Sequence, residues 1–303
     1  GIQIKTPIEQ IIVIGMGGSG IAGRLLQNYL RKAAPKIPVH LIQDYHIPEY
    51  ATKNALVFVV SYSGNTEETL ATYRLIARKG ISCVVISSGG KLAQIAPMFS
   101  SEFIQIPNAE LPPRIATAYL FVPMLVVLMK SGVIANAAYA MDSISESLGK
   151  DIYEAYAKDL VEQVGVKTPI IYTSSEQSAI GYKWKTSLNE TAKTFAFSSI
   201  FPECNHNELE CYAASSESIE DFVALLIKDL KGDSRTRAQM EEYKNILRKR
   251  GASVMEIVIR SPDPLTYIFS TLYLGEWFAY YMALAKGVDP SKIDNIEAFK
   301  KKA

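Results

Sequence analysis

The sequence is poor in cysteine, in histidine and in net charge, and each shortage removes a class of function. Three cysteines, Cys83, Cys204 and Cys211, in 303 residues make no disulfide framework; an odd, sparse set fits a reducing compartment. No signal peptide is visible after Gly1, so a cytoplasmic location is expected. Cys204, His206 and Cys211 offer three metal donors, but no fourth is spaced to complete a zinc site, and no metal is expected. Only His40, His46 and His206 are available as histidines for proton transfer near neutrality. Lys and Arg number 32 against 31 Asp and Glu, for a net charge of +1. No global field gathers nucleic acid or an acidic membrane, so neither is expected as a partner, and a bound anion must be held locally. Long apolar runs are scarce as well. Residues 118–129 are too short to span a bilayer and contain Pro123. Residues 265–285 are long enough, but they carry Glu276 and tyrosines spread along their length, the pattern of a buried or interface helix.

What is plentiful is apolar sequence in short pieces. Hydrophobic residues make up 48% and charged residues 21%, the balance of a globular chain with room for two cores. Runs at 11–14, 39–42, 56–60, 83–86 and 103–106 read as strands. Helical patterns at 21–31, 67–78 and 92–98 lie among them, and a long helix at 115–130 follows. Residues 132–148 read as a connector. A second alternation then places strands at 169–172, 194–197, 222–226 and 254–259, with helices at 179–188, 234–250 and 264–285. The charged tail, 294–303, reads as a short helix. The predicted class is α/β, with a mainly parallel, flavodoxin-like sheet in each half and helices on both faces. The expected division is 1–132, a connector at 133–150, a second domain at 151–290 and a tail at 291–303.

Two loops compete over the identity of an anion. Residues 15–20 read G-M-G-G-S-G, a G-x-G-x-x-G match between a strand and a helix, and Asp44 stands after the second strand. By motif rules this is a dinucleotide site with its ribose-binding acid. Ser61, Ser63, Gly64 and Thr66 also lie between an apolar run and a helix start, where backbone N–H groups and the helix dipole favour an anion. In a flavodoxin-like order the first and third strands are neighbours, so the two loops face each other. Hydroxyls of Ser19, Ser61, Ser63 and Thr66 then suit one compact phosphate monoester, whereas a dinucleotide leaves the second loop idle. The plainer reading makes Asn65 and Glu68 a capping box and the glycines aids to tight packing. The coincidence of both loops at the two central strands favours phosphate.

These loops resemble the sugar isomerase (SIS) superfamily. Together with Pro113 and Arg114, the run from Asn189 and Glu190 to Lys193, Pro202 to Asn207 around His206, and Ile296 to Lys300, they resemble more closely the bifunctional phosphoglucose/phosphomannose isomerases. The resemblance runs through both halves to the C-terminus. It implies two SIS-type domains with a C-terminal helical tail completing the site. It also implies a metal-independent, cofactor-free aldose–ketose isomerase that interconverts glucose 6-phosphate, and mannose 6-phosphate, with fructose 6-phosphate through a cis-enediolate. On the resemblance, Gly18, Ser19, Ser61, Ser63 and Thr66 hold the 6-phosphate. Glu190 moves the proton between C1 and C2, His206 and Lys300 assist ring opening, and Arg114 stabilises the enediolate. A homodimer is implied, with His206 serving the neighbouring subunit's site. The chain departs from the pattern in a short segment before the first glycine loop, and in Ser291 and Lys292, which follow the Asp289-Pro290 turn where the family usually carries Thr-Pro.

The residues suit that chemistry on their own terms. A positioned carboxylate contributes roughly 10²–10⁴-fold to proton transfer, and Glu190, between an apolar helix and a strand, is placed to serve as one. Taken alone, Glu190 also reads as a solvated helix end. Arg114 brings a charge that does not titrate near neutrality, and arginine is poor decoration for the positive end of a helix. Two rival functions remain open at this level: a non-catalytic SIS-domain sugar-phosphate regulator, which can dispense with the base, and an NAD-dependent oxidoreductase built on the glycine loop. Apolar faces on 118–129 and 265–285 are the expected dimer surfaces.

Overall fold

The computed structural model describes residues 7–109, 111–213 and 219–300. The chain divides into two compact units, Gly1–Ala137 and Ala138–Ala303. In the first, β1 (Gln10–Ile14), β2 (Val39–Ile42), β3 (Ala55–Val60), β4 (Cys83–Ser87) and β5 (Glu102–Gln105) alternate with α1 (Gly17–Ala33), α2 (Glu67–Arg78) and α3 (Gly90–Ile95). α4 (Thr117–Lys130) closes the unit. The sheet order is β2-β1-β3-β4-β5, and every pairing is parallel. All residues of β1, β3 and β4 are buried. Continuous apolar runs, not alternating ones, are what a strand covered by helices on both faces requires. On one side Tyr73, Ile76 and Leu92 pack against Ile12, Val57 and Val85. Because the first and third strands are adjacent, the loops leaving their C-terminal ends emerge at the point where the strand order reverses, the usual ligand position of such sheets.

The second unit carries β6 (Thr168–Ser174), β7 (Phe197–Phe201), β8 (Phe222–Lys228) and β9 (Ser253–Val258), ordered β7-β6-β8-β9 and parallel throughout. Among the described residues its helices include α5 (Ala138–Leu148), α6 (Ile152–Val164), α7 (Ser178–Thr191), α8 (Ser234–Lys249), α9 (Pro264–Ala285) and α10 (Asp294–Lys300).

Three features differ from the sequence expectation. The segment read as a connector contains α5, whose serine-rich composition is a weak helix former. Its partners hold it: Ser147 Oγ shares hydrogen bonds with Tyr153 OH at 2.6 Å and Ser270 Oγ at 2.9 Å. α6 was not anticipated, although Tyr153, Ala157, Leu160 and Val164 give it a buried stripe at helical spacing. β7 begins at Phe197 and not at Thr194, because residues 192–194 are spent on closing α7. Lys193 takes φ +50°, and the Thr194 N–H donates back to Leu188 O at 3.1 Å.

α9 is buried nearly all round, and Asp263 caps it by accepting from the N–H groups of Leu265 and Thr266, both at 2.9 Å. Among the described residues no helix is long and apolar enough to cross a membrane. The charge inside this apolar helix has a partner. Glu276 pairs with Lys183 of α7, which is only 3% exposed. Ser187 Oγ accepts from Lys183 Nζ at 2.7 Å and donates to Glu276 at 3.0 Å. Replacing Glu276 with alanine leaves a buried ammonium uncompensated and is expected to cost about 3–5 kcal/mol in denaturant unfolding. Adding Lys183→Met should recover most of that loss; a single-variant cost below about 1 kcal/mol contradicts the pairing.

A second charge cluster contributes to the acid response of this unit. Lys228 holds the Glu241 carboxyl down from an ordinary 4.5 to about 2, with Lys244 adding to the effect. A depressed carboxylate stabilises the folded state fully above its ordinary value, and the contribution is lost as pH falls from about 4.5 toward 2. Urea midpoints measured through that window should fall less steeply for Glu241→Gln than for the wild type; identical slopes contradict this assignment.

Candidate active site

The β1–α1 and β3–α2 loops interlock. Ser19, buried in the first turn of α1, accepts from the Tyr62 N–H through Oγ at 3.1 Å. Ser61 Oγ, also buried, accepts from the Gly64 N–H at 3.1 Å and shares a hydrogen bond with Thr66 Oγ1 at 2.9 Å. Ser63 is exposed, and its Oγ accepts from the Asn65 N–H at 3.2 Å. Gly64 takes φ +68°, and a Cβ there would fall 1.9 Å from Gly89 O, so no other residue fits. Gly18 is closely covered too: a Cβ would lie 2.5 Å from Pro113 O and 3.2 Å from the Arg114 Cα. The Pro113–Arg114 turn therefore rests on the glycine loop, with Arg114 only 6% exposed. Gly18, Ser19, Ser61, Ser63, Thr66 and Arg114 thus gather at one end of one sheet.

The capping box is not formed. Thr66, not Asn65, is the N-cap of α2, and its side chain makes no cap hydrogen bond. Asn65 Oδ1 instead accepts from the Lys91 N–H at 3.0 Å. The Thr66 side chain therefore does not cap α2, and its hydrogen bond is to Ser61 Oγ within the loop. Thr66→Ala should cost no more than about 1.5 kcal/mol of unfolding stability, the value of that one bond. It should raise KM for a phosphorylated substrate about 10-fold or more, the value of one charge-assisted hydrogen bond. An unchanged KM would return the loop to architecture alone. Asp44, the acid of the dinucleotide reading, is exposed and accepts from the Tyr45 N–H at 2.6 Å.

A third loop went unnoticed in the sequence. Ser88 Oγ donates to Tyr62 O at 2.7 Å, and Ser87 Oγ donates to Gly89 O at 3.0 Å. Tyr62 OH accepts from the Ala109 N–H at 3.1 Å. The signal was present: two serines and two glycines directly after a buried strand, the same composition as the loops that were singled out.

The other expected residues belong to the second unit. Glu190 is half-buried in the last turn of α7. Beside it, Asn189 Nδ2 donates to Thr194 O at 2.8 Å. His206 is exposed at the end of the short 3-10 turn Glu203–His206. Its loop is anchored on either side of it by Cys204 and Tyr212, both buried. Tyr212 OH shares a hydrogen bond with Tyr172 OH at 3.0 Å, and Tyr243 OH donates to Tyr172 OH at 3.2 Å. Burial, with the Glu208 charge beside it, pushes the Cys204 thiol up to about 12, so it stays protonated in this core. Among the described residues no group of three or more His, Cys, Asp or Glu is arranged around a metal position. Lys300 ends α10 and is exposed. Among the described residues no hydrogen bond joins the side chains of Glu190, His206 and Lys300 to one another.

Comparison with known proteins fits this architecture. A model of the SIS domain matches residues 6–129, and a model of the bacterial phospho-glucose isomerase C-terminal SIS domain matches residues 153–302. The chain is 32% identical to a bifunctional phosphoglucose/phosphomannose isomerase of Caldicellulosiruptor bescii, over 97% of this chain and 89% of that one. It is 33% identical to the protein of the same description from Thermoplasma acidophilum, again over 97% and 89%. Among solved structures, a glucosamine-6-phosphate deaminase of Thermotoga maritima aligns with a TM-score of 0.74, at 16% identity, over 94% of this chain and 88% of that one. The last likeness speaks to the fold; the first two, spanning both sheets, show that the chain belongs to the family of bifunctional phosphoglucose/phosphomannose isomerases.

Proposed function

We propose that the chain interconverts glucose 6-phosphate, and mannose 6-phosphate, with fructose 6-phosphate, as an aldose–ketose isomerase acting through a cis-enediolate. The observation that carries the reading is the bond from the Tyr62 N–H to Ser19 Oγ. It joins two hydroxyl-bearing loops that follow neighbouring strands, which favours one compact phosphate over a dinucleotide bridge.

The phosphate of the sugar is held by the hydroxyls of Ser19, Ser61, Ser63 and Thr66, by the backbone at Gly18, and by the first amides of α1 and α2. Anchoring the distal end of the sugar turns proton transfer at C1 and C2 into an intramolecular problem of geometry. Glu190 takes the C2 proton of the open-chain aldose, the C2–H electron pair moves into the enediolate, and the carboxylic acid, its proton partly exchanged with solvent, protonates C1 while the O2 proton passes to O1. Arg114 meets the negative charge that develops on the enediolate oxygens. Substrates arrive as closed rings, so His206 and Lys300 move the protons of ring opening, one at O5 and one at the anomeric hydroxyl. The exposure of His206 supports its service in a neighbouring subunit of a homodimer. The intact Glu190 supports catalysis over regulation.

The test is direct. Purified protein incubated with either aldose 6-phosphate, without added NAD and with a chelator present, should form fructose 6-phosphate. Tight NAD binding with no isomerisation overturns the reading.

A further inference from the structure

Lys193 sits where a glycine is ordinary. It follows the end of α7 with φ +50°, a left-handed conformation that L side chains rarely adopt and that commonly closes a helix with glycine. Its side chain has a use that a glycine lacks. Nζ donates to Glu190 O at 3.0 Å and Thr191 O at 3.2 Å, carbonyls left open by the helix end. It also donates to Asp289 O at 2.7 Å, beyond the end of α9. Asp289 in turn accepts from the Ser291 N–H at 2.8 Å and from Ser291 Oγ at 2.6 Å, which fixes the first residues of the tail. A second lysine reinforces the junction: Lys286 Nζ donates to Thr194 Oγ1 at 2.9 Å.

We propose that Lys193 is a positioning residue whose ammonium clamps the Glu190 end of α7 to the root of the tail that carries Lys300. The clamp rests on the isomerase reading for the roles of Glu190 and Lys300, and on the observed hydrogen bonds alone for its existence. By holding the main-chain carbonyl of Glu190 itself, Lys193 sets the direction from which that carboxylate starts. By holding Asp289 O, it ties the base and the ring-opening lysine to one reference point. It touches no substrate.

The competing account is that Lys193 is only a helix cap, and Lys193→Gly separates the two. Glycine adopts the left-handed exit without strain, so a cap role predicts unchanged kinetics and a melting temperature equal to or above the wild type. The clamp predicts a kcat lower by roughly 10–100-fold, with KM changed less than about threefold, since small misplacements of catalytic groups cost rate and not phosphate affinity. It also predicts faster amide exchange over 291–300, measured without any substrate. In a Lys300→Ala background the kcat loss from Lys193→Gly should shrink, because part of it acts through the tail. Turnover within twofold of wild type overturns the proposal, as does unchanged tail exchange. A loss of the same size in the Lys300→Ala background overturns the route through the tail. If the wild-type protein shows no isomerase activity, the functional reading fails, and the exchange experiment still decides the clamp.

Discussion

Glu190→Gln is expected to lower kcat by roughly 10²–10⁴-fold, with KM held within about threefold. Glutamine keeps the volume and the hydrogen-bonding reach of the side chain and removes only its capacity to take a proton. The position is half-buried in the last turn of α7, so the amide fits without a cavity or a new buried charge. Loss of fold is therefore a poor explanation for loss of turnover, and a melting curve close to wild type is part of the expected result. The loops proposed to hold the phosphate belong to the other unit and are untouched, which is why KM should hold. A variant that keeps most of its kcat would mean that another group moves the proton.

Gly18→Ala is the second large effect, and it comes from one methyl group. At an ordinary helical position alanine is favoured over glycine by about 1 kcal/mol. Here the new Cβ would stand 2.5 Å from Pro113 O, 2.9 Å from Pro113 C and 3.2 Å from the Arg114 Cα. Those are backbone atoms, which cannot swing aside as a side-chain tip can. Overpacking of this kind costs about 1–3 kcal/mol and outweighs the helix gain. Relief requires the Pro113–Arg114 turn to retreat, and a shift near 1 Å in a charge-stabilising group can lower the rate about 10²-fold. The expected result is a fall in kcat/KM of that order with a modestly lower melting temperature. Gly17→Ala is the matched control. Its Cβ meets nothing within 4 Å, but its φ of +50° strains any L residue. It should lose stability with a far smaller loss of kcat/KM. Equal kinetic losses at the two positions would mean that the loop is sensitive to any change and that Arg114 has no special part in it.

The first unit was legible because its signals are local. β1, β3 and β4 are unbroken apolar runs, and the glycine and serine loops follow them at once, so strand order and the meeting of the two loops could be read together. Several of the differences depend on partners that local pattern does not report, whereas α6 and the serine-glycine loop after β4 carry local signals of their own. α5 is a helix because Ser147 finds Tyr153 and Ser270, a pairing no propensity reports. The start of β7 moved because a lysine occupies a left-handed helix exit where a glycine would have announced the break. Asn65 and Glu68 match a capping box in spacing, yet the loop after β4 claims Asn65 through the Lys91 N–H. Glu276 was legible as a reason against a membrane span, but its partner Lys183 lies 93 positions away in the chain and only the fold joins them. Glu190, His206 and Lys300 came from family resemblance; nothing in local pattern separates them from other polar residues at element ends.

The central claim is that Glu190 takes the C2 proton of a sugar whose phosphate is held by the serine and threonine loops. Its most direct test is nuclear magnetic resonance of glucose 6-phosphate in deuterated water, comparing the wild type with Glu190→Gln at saturating substrate. The wild type should replace the C2 hydrogen with deuterium as it turns over, and Glu190→Gln should bind the sugar and leave that hydrogen in place. Replacement by the glutamine variant at the wild-type rate, or wild-type turnover in which the C2 hydrogen never exchanges, would contradict the account.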